Sequence, residues 1–194
     1  FLNVESQTRL PVSQLILGET SREISLNARK ATEVGYKTLK IKVGDKNLSN
    51  DLEKLKDVDL VIEAVAENLE IKHTVYKNVA PHLKDSVIMS SNTSGIPLAD
   101  LIQVLPDNLK SRFLITHFFN PPRYMRLLEL VKGPETDNEV YKTLSSIGEN
   151  ILGKGIVHAK DTPNFIGNRI GVHGANNAIK LSIQMGLSVE EVDK

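Results

Sequence analysis

The sequence predicts an α/β fold in which helices cover both faces of a mainly parallel sheet, a three-layer sandwich. Strand-like and helix-like patterns alternate along the chain, and the strand candidate Val58–Val65 is apolar on both faces, as a covered strand must be. The chain has 194 residues, 40% hydrophobic and 25% charged, enough to fill one core of ordinary domain size. Its 24 basic and 24 acidic side chains cancel, which argues against nucleic acid or an anionic membrane as partner. The absence of cysteine excludes disulfides and thiolate zinc sites, and the five scattered histidines suggest no metal. With no long apolar run and no basic-then-apolar opening, neither membrane insertion nor a signal peptide is expected, and a cytoplasmic location is.

The elements follow in order. Val12–Leu17 suits a strand and is closed by Gly18. Thr20 and Glu23 have capping-box spacing for a helix in which Ile24, Ala28, Ala31 and Val34 repeat near helical period, with Gly35 as its stop. Thr38–Val43 alternates, placing Leu39, Ile41 and Val43 on one face and Lys40 and Lys42 on the other. After Val58–Val65, Asn68 can cap a helix through Ala80 with Ile71, Val75 and Val79 inward. Val87–Ser90 is the next strand and Asn92–Gly95 a turn; Pro97 opens a short helix packed through Leu98, Leu101, Ile102 and Leu105. Phe113–Phe118 and Leu127–Val131 are strands joined by the rigid loop Asn120–Arg123. A helix over Asn138–Leu152 precedes a strand at Ile156–Ala159, and beyond Pro163 the chain turns helical through Met185. Ser188 and Glu191 then start another capped segment.

Several polar groups could do chemistry. His117 and Glu129 lie near facing ends of adjacent strand candidates, where a carboxylate against one imidazole nitrogen would fix its tautomer and leave the other to take a proton. The same spacing suits a half-buried histidine and an exposed strand carboxylate. Ser94, Asn120 and Asn168 could hold a substrate oxygen without adding charge, and equally suit turns and caps. Glu63 and Glu67 follow the apolar run, where open α/β sheets bind ligands outside their strand ends; a carboxylate there can accept ribose hydroxyls and Lys72 can touch phosphate. Solvation of a helix start explains them as well. Lys40 and Lys42 share a strand face, either as a cavity pair with one weakened charge or as ordinary surface lysines. No G-x-G-x-x-G follows the first strand: the chain reads Leu17-Gly18-Glu19-Thr20-Ser21, and Glu19 would repel a pyrophosphate placed there.

Longer motifs carry a resemblance. D-V-D-L-V-I-E-A-V-A-E-N-L-E-I-K at Asp57–Lys72, S-N-T-S at Ser91–Ser94, H-F-F-N-P at His117–Pro121 and K-D-T-P-N-F-I-G-N-R at Lys160–Arg169 resemble the NAD-binding domain of 3-hydroxyacyl-CoA dehydrogenases from about residue 48 onward. Pro121–Met125 is more similar to the large bacterial fatty-acid oxidation members. The resemblance implies a Rossmann-like domain and oxidation of an L-3-hydroxyacyl-CoA to the 3-ketoacyl-CoA with NAD, in fatty-acid β-oxidation. It implies His117 as base, oriented by Glu129, with Ser94, Asn120 and Asn168 around the substrate. Glu67 and Lys72 would lie near the nicotinamide ribose, Glu63 in the same motif, and Asp45 would stand in for the ribose-binding acid.

The opening departs from that family. L-P-V-S-Q-L-I-L-G at Leu10–Gly18 and G-Y-K-T-L-K-I-K-V-G at Gly35–Gly44 resemble the first barrel strands of enolase-superfamily enzymes, especially the o-succinylbenzoate synthases. The expected organisation is therefore one Rossmann-like domain over residues 1–194, with a foreign β-α-β segment at 10–50 and a dehydrogenase-like portion at 48–185. Residues 186–194 would begin the family's helical domain. A chimera of this kind would keep the reactive histidine while NAD binding and turnover are impaired; the competing expectation is a folding module without activity. Acyl-chain preference and oligomeric state are not encoded in these motifs.

Overall fold

The computed structural model describes residues 13–16, 21–35, 38–41, 55–56 and 58–193. The opening unit is a parallel β-α-β: β1 (Ser13–Ile16), helix α1 (Ser21–Glu33) and β2 (Thr38–Ile41), with Ser13 opposite Thr38 and Ile16 opposite Ile41. Ile24 and Ala31 are the buried side of α1, whereas Val34 is 78% exposed. The helix stops at Gly35, whose φ of 102° is one that side-chain-bearing residues rarely adopt.

The main sheet has five strands in sequence order: β3 (Leu60–Glu63), β4 (Ile88–Ser91), β5 (Phe113–Phe118), β6 (Leu127–Lys132) and β7 (Gly155–Ala159). Only β5–β6 is antiparallel. The expected α/β fold with a mainly parallel sheet is therefore present. One expected continuity is not: among the described residues β1 and β2 pair with each other in a two-stranded sheet and have no register with β3. The strand expected over Val58–Val65 is shorter, and as the edge of the five-stranded sheet it leaves Ile62 40% exposed.

The sheet's helices follow from local signals. The Asn68 side chain accepts from the Ile71 N–H at 3.0 Å and starts α2 (Leu69–Val79), which runs into a 3-10 turn at Ala80–His82 containing Pro81. Its buried face is not the expected stripe. Ile71 is 45% exposed, and Lys72 and Tyr76 are buried instead, one turn apart, because a buried carboxylate receives their polar tips. Short helices α3 (Leu98–Leu101) and α4 (Asp107–Lys110) follow, and Leu98, Leu101, Ile102 and Leu105 are all buried, as their spacing predicts. With Tyr76, Met89, Phe113, Ile115, Val131 and Phe165 they form the core.

Helix α5 (Asn138–Ser146) is capped by Asp137 and ends in a π-helical turn, Ile147–Ile151, where one continuous helix to Leu152 was expected. Helix α6 (Gly167–Met185) buries none of its side chains, and the Ser188–Glu191 capping box opens α7 (Val189–Val192) as predicted. Among the described residues no helix is long and apolar enough to cross a membrane.

Candidate active site

Polar side chains gather where β3, β4, β5 and β6 meet the start of α6. Glu63, at the end of β3 and 5% exposed, is the hub of the first group. Its Oε1 accepts from Lys72 Nζ at 2.9 Å and the Val65 N–H at 2.6 Å; its Oε2 accepts from the Tyr76 hydroxyl at 2.8 Å and the Ser91 hydroxyl at 2.7 Å. All four donors are local to β3, α2 and β4, so this carboxylate ties strand ends to a helix. A buried anion with that many donors is compensated rather than reactive. Its negative charge and the desolvation of the ring raise the Tyr76 phenol well above its usual range, burial being the larger cause.

Lys72 is 1% exposed and reaches a second carboxylate, Glu67 Oε2, at 3.5 Å. Glu67 Oε1 in turn accepts from the Thr93 hydroxyl at 2.6 Å and the backbone N–H groups of Ser94 at 2.8 Å and Gly95 at 3.2 Å. Burial pushes the Glu67 carboxyl up, but the Thr93 hydroxyl, the Ser94 N–H, the Lys72 charge and the Gly95 N–H together outweigh it and hold it below its usual value. Glu67 is 44% exposed in its side chain. Its Oε2 lies 3.5 Å from Lys72 Nζ.

The second group is the expected pair. In the β5–β6 register His117 stands directly opposite Glu129, and their side chains meet with Nδ1 2.7 Å from Oε2. Both are buried, at 3% and 0% exposure. A carboxylate only accepts, so Nδ1 carries a proton, and in the neutral ring Nε2 keeps its lone pair. The imidazole lies between two phenylalanines, with ring centroids 4.5 Å from Phe119 and 5.6 Å from Phe165. Phe165 holds a left-handed backbone, φ 47°, and so does Asn164 at 61°. Such conformations cost on the order of 1–3 kcal/mol each and persist where packing over-determines them, as the 1% exposure of Phe165 does here.

The start of α6 joins the two groups. The Gly167 and Ile166 N–H groups donate to Glu129 Oε1 at 2.7 and 3.0 Å, and Asn168 Nδ2 donates to the Ser94 carbonyl at 3.0 Å. Asp161 secures the approach to this helix by accepting from the Leu98 and Ala99 N–H groups at 2.7 and 3.2 Å. Asn120 sits on the exposed loop just past His117, preceding Pro121 through a cis peptide bond. Lys154 grips that loop at the Pro122 carbonyl and at the Met125 carbonyl, 2.7 Å away, and burial pulls its ammonium below the ordinary lysine range.

Of the residues singled out from sequence, Glu63, Glu67, Lys72, Ser94 and Asn168 thus form one connected chain of contacts, and His117 with Glu129 forms the other. Asn120 is near the histidine in sequence but on the exposed loop. Asp45 and Lys42 lie outside the described residues, as does the first turn around Gly18. Missing from the sequence reading were Tyr76, Ser91 and Thr93, and the backbone donors of residues 166 and 167. The Ser91-Asn92-Thr93-Ser94 motif did carry a signal for the hydroxyls. No group of histidine, aspartate and glutamate able to hold a metal occurs among the described residues.

Residues 12–162 match the family described as 3-hydroxyacyl-CoA dehydrogenase, NAD binding domain. The chain belongs to this family. NAD is the cofactor that membership assigns, and the match begins at residue 12, well ahead of residue 48 from which the resemblance was expected to run. A probable 3-hydroxyacyl-CoA dehydrogenase of Bacillus subtilis is 49% identical over 147 residues, which is 76% of this chain and 19% of that protein. One from Deinococcus radiodurans is 43% identical over 179 residues, 92% of this chain and 51% of that protein. The crystal structure of a (S)-3-hydroxybutyryl-CoA dehydrogenase from Ralstonia eutropha superposes with a TM-score of 0.68 at 26% identity, over 94% of this chain and 66% of that one. A 3-hydroxyacyl-CoA dehydrogenase from Archaeoglobus fulgidus gives 0.65 at 27%, over 95% and 60%. The chain therefore spans only part of the relatives it matches.

Proposed function

We propose that this chain carries the base and the ribose-side carboxylate of an NAD-dependent L-3-hydroxyacyl-CoA dehydrogenase. The observation that carries the reading is the 2.7 Å contact between His117 Nδ1 and Glu129 Oε2, which leaves Nε2 as the basic atom. His117 takes the proton of the substrate's C3 hydroxyl on Nε2 as the C3–O bond becomes a carbonyl. Glu129 stabilises the imidazolium that results. Phe119 and Phe165 pack the ring and keep water from its faces. Ser94, Asn168 and Asn120 surround the oxygen-bearing end of the acyl chain and orient it.

The donor set suits NAD: the part-exposed carboxylate of Glu67 accepts ribose hydroxyls, and Lys72 behind it balances the charge. When bound, NAD would supply the acceptor for the hydride released as the C3–H bond breaks. The partner on this reading is an acyl-CoA, and the setting cytoplasmic fatty-acid β-oxidation. NADH formation from L-3-hydroxybutyryl-CoA and NAD, lost in a folded His117→Gln variant, tests it; a parent chain that forms no NADH refutes it.

A second reading, a chimeric folding module without turnover, draws support from the two-stranded β1–β2 sheet and from the acidic Glu19 that the sequence carries where a glycine-rich motif would stand. On this reading Asp45 lacks the pyrophosphate loop that normally accompanies a ribose-binding acid, and NAD affinity is weak. Titration with NAD separates the two: no saturable binding at millimolar ligand favours the module, and micromolar saturation rejects it.

A further inference from the structure

The pair His117–Glu129 does not stand alone. Glu129 presents two oxygens, and only Oε2 faces the imidazole; Oε1 is taken by the N–H groups of Ile166 and Gly167. A carboxylate on a strand can rotate about its terminal torsion, which is broad and roughly two-fold. Two donors on Oε1 remove that freedom. The positive end of α6, a 19-residue helix, reinforces the hold.

A Cβ on Gly167 would lie 2.6 Å from Phe119 Cζ and 3.0 Å from Cε1, and 3.6 Å from Glu129 Oε1. The contact with the Phe119 ring is closer than real Cβ atoms show, so a side chain at this position would make the ring or the helix start shift, whereas the distance to the carboxylate is an ordinary contact. The same Phe119 ring lies 4.5 Å from His117. The missing side chain thereby lets the helix start pack closely on the ring that touches His117.

We infer that Gly167 is a positioning residue for the base: its N–H and its bare Cα lock Glu129 with Oε2 toward His117 and so keep the imidazole proton on Nδ1. The inference deepens the dehydrogenase reading and rests on it for its catalytic meaning. Its structural content stands on hydrogen bonds and packing alone.

The test is Gly167→Ala in the full chain, read by nitrogen-15 resonances of the His117 ring, which distinguish the two neutral tautomers. The parent is expected to show Nδ1–H with a low-field, hydrogen-bonded proton, and the variant a tautomer mixture with that proton signal lost. Turnover, where measured, falls through kcat with KM little changed, on the order of a hundredfold for a displacement near 1 Å. Phe119→Leu removes the atoms that the new methyl would strike, so Gly167→Ala/Phe119→Leu is expected to regain the Phe119→Leu spectrum and rate. A folded Gly167→Ala variant with the parent's ring spectrum overturns the inference, and so does a double variant no better than the alanine change alone. Should Gly167→Ala not fold, Glu129→Gln serves instead: the Gly167 amide resonance must move upfield, and an unmoved resonance overturns the inference. The ring spectra need no turnover. A chain that forms no NADH yet shows these shifts refutes the dehydrogenase reading and supports this one.

Discussion

Replacing Glu63 by alanine should be the most damaging single change outside the apolar core. The substitution leaves the Lys72 ammonium 1% exposed, with Glu67 Oε2 at 3.5 Å and the Val65 carbonyl at 3.5 Å as its remaining partners. It also removes the acceptor of the Tyr76 and Ser91 hydroxyls. Breaking a buried ion pair from one side costs about 3–5 kcal/mol. Each stranded hydroxyl adds about 1–3 kcal/mol, less where it finds a new partner. A domain of this kind has about 5–15 kcal/mol in all, so Glu63→Ala should lie near the edge of folding. Urea denaturation followed by far-ultraviolet circular dichroism gives the loss directly. The discriminating variant is Glu63→Ala/Lys72→Met, which removes the orphaned charge and should recover roughly 2 kcal/mol of the cost. A Glu63→Ala chain within about 1 kcal/mol of the parent, or a double variant with no recovery, would refute the account of Glu63 as a compensated hub.

Smaller effects follow from other contacts. Asn68→Ala removes the acceptor of the Ile71 N–H and should cost about 1 kcal/mol in the same denaturation assay, with little loss in Asn68→Ser. Glu67, held below its ordinary value of 4.5, stabilises the fold fully above that pH and loses its contribution as pH falls through its lowered folded-state value. The stability difference between the parent and Glu67→Gln should therefore be constant at neutral pH and shrink in acid; a difference that grows in acid contradicts the assigned sign.

The contact between His117 and Glu129 was legible because strands alternate and turns are short: the two sit on facing strands, and antiparallel register brings them opposite each other. The helices were legible where a cap marked them, as at Asn68 and Ser188. The phase of α2 was not. Hydropathy assigns a lysine to the outside, and only the presence of Glu63, nine residues earlier and on another element, turns Lys72 and Tyr76 inward. Backbone donors left no trace either, since any residue at the start of α6 offers an N–H; what marked the position was the glycine, and its meaning needed the Phe119 ring beside it. Val34 failed for the opposite reason, an apolar residue in phase at a helix end that nothing described covers.

The bonds that complete the site also fix when it can exist. Ser94 waits for Asn168, Leu98 for Asp161 and Glu129 for Gly167, partners that lie 74, 63 and 38 residues further along the chain. Contacts of such sequence separation close long loops and form late. During synthesis the strands β3 to β6 can pair while Glu129 still lacks two of its three donors. A nascent chain stopped before residue 160 thus holds the paired strands without the donors of Ile166 and Gly167, which arrive with α6.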